Sequence, residues 1–311
     1  MTNPASHVQP AARIDPKLTL GEVALTVRDL DLIAGFYQQV IGLRLLAREG
    51  NHAVLGTPDG HPLVTLRSDP EAPSPARNAT GLYHLAIAFP ARADLARWIQ
   101  HASGLNLRIG QNDHKTHEAF YLNDPDGNGI EIYVDWPREQ WPFKDGKITS
   151  PDSEPINIQS LLGTLTANDA GWTGAPIGTR MGHVHLKMSD PAATRDFFGD
   201  VLGMNITADI MQAVFAAAGD YHHHVGNNAW HSRGGPTPPQ GALGLRHYTI
   251  ELSSSTELDA VITRLKNAGG TVRETPAGIV TTDPSGNRVL LRAAPSTAQS
   301  ALDALDNATT A

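Results

Sequence analysis

The sequence predicts an α+β fold built from four βαβββ modules, and three observations carry that prediction. Two segments, DLDLIAGFYQQVIGLRL (29–45) and DPAATRDFFGDVLGMNI (190–206), match closely. Each follows a short strand-like run. Three Gly-containing turns, at 57–66, 124–133 and 283–292, each lead into an apolar run. Repeats of this length are read before local features because they set the whole architecture.

Each element has its own signal. GEVALTV (21–27) and GHVHLKM (182–188) alternate or are β-branched, and so read as strands. The two matching segments follow them as helices. Asp29 and Asp190 stand at the helix starts, the aromatic pairs Phe36-Tyr37 and Phe197-Phe198 fall at helical spacing, and Gly42 and Gly203 fit helix C-termini. GLYHLAIAF (81–89) and GLRHYTIEL (244–252) open two weaker copies, with helices near 92–102 and 257–269. D-G and S-G pairs before an apolar strand close the modules as hairpins. The units run roughly 18–68, 80–135, 180–231 and 243–293. Pro/Gly/Ser-rich joints separate them. Two units per half give domains at 18–135 and 180–293, a linker at 136–179 and a flexible tail at 294–311. That tail is read as a frayed end or a short surface helix.

Composition narrows the function. The chain has 311 residues, 18% charged and 40% hydrophobic, which is the profile of a folded protein. Its formal charge of −8 argues against nucleic-acid and anionic-membrane partners, which need clustered Lys and Arg. No run of apolar residues is long enough for a membrane span, and Met1 to Asp15 shows no apolar targeting core, so a cytoplasmic protein is expected. With no cysteine, a metal has only His, Asp or Glu to bind, and there are 14 histidines.

The module order, the helix motif F-[YF]-x-x-V-[IL]-G-[LM] and the turn D-P-D-G-N-G-I-E resemble the vicinal oxygen chelate superfamily. That superfamily includes glyoxalase I, bleomycin-resistance proteins and type I extradiol ring-cleaving dioxygenases. GLYH, DPDGNGIEIY, GHVH and YHHHVG together resemble the catechol 2,3-dioxygenase branch. The resemblance covers about residues 18–293. It implies two glyoxalase/dioxygenase-like domains with cup-shaped mixed sheets. It also implies a metal site in a cup formed by two units, with ligands from the first and last strands of each.

Those positions can be registered internally. The first strands align Glu22, His84, His183 and His247; the last strands align Val64, Glu131, His223 and Leu290. A shared register implies a shared face, because strand side chains alternate. Only pairing the second unit with the third gathers two His, one carboxylate and a spare His. That is the facial triad of non-haem Fe(II) oxygenases. His84, His183 and Glu131 are the expected metal ligands and His223 the expected acid–base. The first and fourth units would form a degenerate cup, with His247 a packed histidine. His185, two residues beyond His183, is expected to support the site or line its cavity. Alternation puts His222 and His224 opposite His223, and a one-residue bulge would substitute one of them.

The resemblance adds Tyr121, which would hold the substrate oxygen across the hairpin from Glu131, and a loop histidine that orients substrate. His114 is preferred to His117 for that place. The implied cofactor is Fe(II), with Mn(II) fitting the same donors. The implied partners are a small aromatic diol and O2, and homo-oligomerisation stays open. The expected reaction is extradiol cleavage of a catechol-type diol to a muconic semialdehyde. Two alternatives remain: a glyoxalase-like metal-dependent lyase or isomerase, and a metal-free drug-binding protein.

Overall fold

A computed structural model describes residues 13–150, 152–210 and 212–308. The targeting-signal reading of the N-terminus falls mostly on residues outside that range. The first unit comprises β1 (Thr19–Val27), α1 (Leu30–Phe36), β2 (Arg44–Glu49), β3 (His52–Gly56) and β4 (Pro62–Ser68). The second has β5 (Gly81–Ala88), α2 (Arg92–Ser103), β6 (Gly110–Asp113), β7 (His117–Asn123) and β8 (Gly129–Asp135). A hairpin of β9 (Phe143–Lys144) and β10 (Lys147–Ile148), then α3 (Ile158–Leu162), occupy the linker. The third unit has β11 (Arg180–Lys187), α4 (Pro191–Asp196), β12 (Asn205–Ile210), β13 (Ala213–Ala217) and β14 (Val225–Asn228). The fourth has β15 (Gly244–Glu251), α5 (Ser255–Asn267), β16 (Arg273–Thr275), β17 (Gly278–Thr282) and β18 (Arg288–Arg292), and α6 (Ala298–Asn307) follows it.

The local chemistry explains the repeat. The Asp29 carboxylate accepts from the Leu32 N–H, and Asp190 accepts from Ala192 and Ala193, so each capping Asp satisfies orphan donors of its helix. Both helices then continue into one π turn, Tyr37–Ile41 and Phe197–Val201. Gly42 ends the first at φ 80°, a left-handed conformation that glycine adopts without strain.

Two eight-stranded mixed sheets result. One runs β16-β17-β18-β15-β1-β4-β3-β2, the other β12-β13-β14-β11-β5-β8-β7-β6. Within each unit the first and last strands pair in parallel. The units join through antiparallel first strands, β1 with β15 and β5 with β11. Each sheet therefore combines one unit from either half, and the second unit shares a sheet with the third.

The helices follow the other rule. Trp98 on α2 donates to the Val40 carbonyl, and Arg264 on α5 donates to the carbonyls of Val201 and Leu202. The second helix of each half thus caps the end of the first helix of that half. The main core lies between the sheets and under these helices, with Leu25, Ile33, Tyr37, Leu85, Trp98, Phe198, Tyr248 and Leu265 fully buried. It leaves the two concave faces for other uses.

Of the two readings of the tail at 294–311, a frayed flexible end or a short surface helix, the structure has a helix. Residues 298–307 form α6, which lies on the first sheet. A capping box between Thr297 and Ser300 starts it. Leu302 and Leu305 then pack against Ala24 and Val54, while Ala304 meets Val280 and Leu290. The apolar face at helical spacing outweighs the small-residue composition. Arg246 donates to the Leu305 carbonyl and Arg273 to those of Asn307 and Ala308, so cations cap its C-terminus. The first sheet's cup is thereby filled. Among the described residues no helix is long and apolar enough to cross a membrane.

Candidate metal centre and active site

The second sheet's concave face gathers the expected ligands. Strand pairing sets His84 opposite His185, Ala86 opposite both His183 and Glu131, and Tyr121 opposite Glu131. Paired residues and their i±2 neighbours share a face, so these side chains converge from four strands. His84, Glu131 and His183 are all buried and offer ligand atoms within 4.8 Å of one another.

Their contacts suit a cation better than one another. His84 Nε2 and His183 Nε2 stand 2.9 and 3.1 Å from the same Glu131 oxygen, Oε2. Among the described residues His84 Nε2 and Glu131 Oε1 make no well-aligned hydrogen bond, although each lies close to a polar atom of the cluster. Buried polar atoms left this way are costly. Neighbouring donors on an octahedral ion, each about 2.1 Å from it, also stand about 3 Å apart. Burial keeps the His183 imidazole below its usual pKa, which favours the neutral form a metal needs. Burial alone would raise the Glu131 carboxyl, but the surrounding histidines, His183 first, hold it well below the usual carboxylate range. The donors therefore fit a divalent ion of the Fe(II) or Mn(II) kind.

Above these three lies a cavity of about 300 Å³. Tyr121, His114 and His223 all line it. The Tyr121 hydroxyl lies 2.8 Å from His114 Nε2. Burial, reinforced by the charge of Glu131, keeps that hydroxyl protonated well above its ordinary pKa. Burial, then the neighbouring His117, pushes the His114 imidazole down to about 4. The His223 ring sits 4.2 Å from that of His183 and is also held neutral by burial.

Sequence register slips in two places. Thr65, not Val64, pairs with Ala24, and Gly226, not His223, pairs with His185. His223 precedes β14, in an irregular stretch that follows the turn at Gly219. It lines the cavity from that stretch instead of from a strand. Gly226 is small for a reason: a Cβ there would come within 3.1 Å of the His185 ring. His185 itself lines the cavity beside His84, with Nε2 3.1 Å from the Asn228 amide nitrogen.

Two histidines carry more than expected. His117 places Nε2 3.1 Å from Glu131 Oε1, on the side of the carboxylate away from His84 and His183. Alternation back from Tyr121 through Ala119 was the signal for it. His222 does not turn away from His223. Its ring stacks on His117 at 4.7 Å, its Nε2 lies 2.9 Å from Asp135 and its Nδ1 2.8 Å from His223 Nδ1. Irregular backbone cancels the alternation that would have separated them. His224 lies behind, with Nδ1 accepting from the Ala218 N–H. His247 is buried in the first sheet, and neither ring nitrogen has a hydrogen-bond partner among the described residues.

Paired βαβββ units with imidazoles and a carboxylate converging on a concave sheet face define a vicinal oxygen chelate protein. Residues 19–132 and 180–291 match the profile of the Glyoxalase/Bleomycin resistance protein/Dioxygenase superfamily, and the chain belongs to that superfamily. It is 40% identical over 273 residues to catechol-2,3-dioxygenase of Bacillus subtilis (strain 168), covering 85% of this chain and 93% of that protein. It is 27% identical over 141 residues to biphenyl-2,3-diol 1,2-dioxygenase 3 of Rhodococcus globerulus, covering 43% of this chain and 74% of that one. The crystal structure of glyoxalase I from Zea mays shares the fold, with a TM-score of 0.55, 17% identity and coverage of 93% of this chain and 95% of that one.

Proposed function

We propose that this chain is an Fe(II)-dependent extradiol dioxygenase that cleaves a catechol-type diol with O2 to a muconic semialdehyde. The observation that carries the reading is the convergence of His84, His183 and Glu131 beneath a cavity that Tyr121, His114 and His223 also line. The 40% identity to a catechol-2,3-dioxygenase supports it.

His84, His183 and Glu131 would hold the metal. Bound there, the ion would offer adjacent open positions to the two diol oxygens and to O2 and let electron density pass between them. His117, against the far carboxylate oxygen, would fix the rotation of Glu131. Tyr121, kept protonated, would donate to a substrate oxygen, with His114 holding its hydroxyl in place. His223 would take up and return the proton exchanged between diol and oxygen, and the carbon–carbon bond beside the two hydroxyls would break. The apolar walls would exclude water from the reacting groups.

The test is direct. Protein purified without air and loaded with Fe(II) is mixed with catechol and oxygen. A yellow ring-fission product with matching oxygen uptake is expected. Iron-loaded protein that consumes no oxygen with any catechol would sink the reading.

A further inference from the structure

The cavity's floor is polar and its walls are mostly apolar. Tyr83, Ile148, Ala208, Ile210, Phe215 and Trp230 make the walls. Asn112, Thr116 and Ser150 add neutral polar groups. Among the described residues no Lys, Arg or Asp lines the cavity, and Glu131 on the floor is the carboxylate that does. Nearby cations are directed elsewhere. Arg180 is held 2.9 Å from Asp135 behind the site, and Lys115 pairs with Glu154 at 2.6 Å. Lys187 shares a sheet face with His185 by alternation but does not line the cavity.

One wall has an unexpected source. Ile148 and Ser150 belong to the segment that joins the two halves, where the β9–β10 hairpin packs beside β12. The linker is thus part of the pocket. At about 300 Å³ the cavity is at the small end of ligand pockets, which run from ~300 to ~1,000 Å³. One aromatic ring with a short substituent suits that space.

A carboxylate on that substituent would lose its water against apolar walls, with no Lys or Arg side chain to meet it. An alkyl group in the same place would bury apolar surface against Ile148, Ile210 and Phe215. Resting on the ring-cleavage reading, we propose that the site selects uncharged catechols with a short apolar substituent and rejects carboxylated ones, the β9–β10 hairpin being the wall that reads the substituent.

4-Ethylcatechol and 3,4-dihydroxyphenylacetate are the probes, because they differ mainly in the terminal carboxylate. On iron-loaded protein, kcat/KM comes from oxygen uptake and Kd from calorimetry without air. The expected preference for the ethyl compound is on the order of 100-fold, with KM and Kd moving together. Ile148→Arg, at a half-buried hairpin position, should narrow the preference roughly tenfold by improving the carboxylate's Kd. Ile148→Ala should weaken 4-ethylcatechol several-fold more than it weakens unsubstituted catechol. Equal Kd and kcat/KM for the two probes would overturn the proposal, as would an Ile148→Ala variant that weakens catechol and 4-ethylcatechol alike. Discrimination in Kd without oxygen uptake on any catechol would leave the pocket assignment standing and remove the ring-cleavage reading instead.

Discussion

His222 Nε2 lies 2.9 Å from Asp135 Oδ1, and the opposite ring nitrogen lies 2.8 Å from His223. The contact ties the end of β8 to the irregular stretch before β14, so two units jointly aim His223 at the cavity. Burial would raise the Asp135 carboxyl, but the His222 hydrogen bond and nearby positive charge hold it down at about 2. Asp135→Asn should keep the metal and lower kcat about 10- to 100-fold, the usual range for a supporting partner. Iron content alongside kcat checks this. Loss of iron in the variant would place Asp135 in metal retention instead.

Removing Glu131 removes the one carboxylate that faces all three of His84, His117 and His183. Glu131→Ala should therefore abolish iron retention after dialysis. His247→Ala lies in the other sheet and should leave iron content unchanged. The reverse pattern would mean that the metal belongs to the first sheet.

Tyr121→Phe deletes the hydroxyl that His114 holds at 2.8 Å. One lost hydrogen bond to substrate corresponds to about 1 kcal/mol or more, so kcat/KM for catechol should fall roughly tenfold. Iron content should not change. A kcat/KM equal to that of the unaltered protein would exclude Tyr121 from substrate contact.

His247 sets part of the acid limit of stability. Burial holds its imidazole at about 3 in the fold, and an unfolded chain restores the ordinary value near ~6.5. Above ~6.5 both states are neutral and the group is without effect. Between the two values the unfolded state binds the proton and the native state does not, so stability is lost as pH falls. The loss is about 1.4 kcal/mol per pH unit for this one group. His247→Leu should flatten that slope in urea unfolding of metal-free protein between pH 6.5 and pH 4. An unchanged slope would show that His247 is protonated in the fold.

Truncation after Pro295 removes α6 and uncovers the first sheet's cup. Ala301, Leu302 and Leu305 leave Ala24 and Val54 exposed. With Leu302 and Leu305 each worth about 2 kcal/mol when buried, the shortened chain should unfold at least ~4 kcal/mol more easily and bind an apolar dye. Equal unfolding midpoints would mean that the helix docks without stabilising the sheet.

Legibility in the sequence tracked regularity of the backbone. The four units could be read because their helix caps and turn glycines recur at equivalent places. The convergence of His84, Glu131 and His183 from β5, β8 and β11 could be read because strands keep a period of two between a turn and its partner. That same period, counted back from Tyr121, reaches His117, so the information was present there. It was absent around His222, where a non-strand segment obeys no period, and at Val64, where the last strand of the first unit is offset by one residue. Composition left helix α6 as one of two readings of the tail. Small residues suggest fraying, and only the arrangement of Thr297, Ser300, Ala301, Leu302 and Leu305 shows a capped, one-sided helix.

The pairing of Val23 with Tyr248, and of Ala86 with His183, has a consequence for how the molecule is made. During synthesis β1 and β5 both leave the ribosome long before β15 and β11 exist. Each is then a raw strand edge that invites pairing with any neighbouring chain. Half a polypeptide is thus an aggregation hazard with half a cup, and assembly waits on contacts between distant parts of the chain. The two histidines offered by β5 and β11 become one site only in the closing stage of folding.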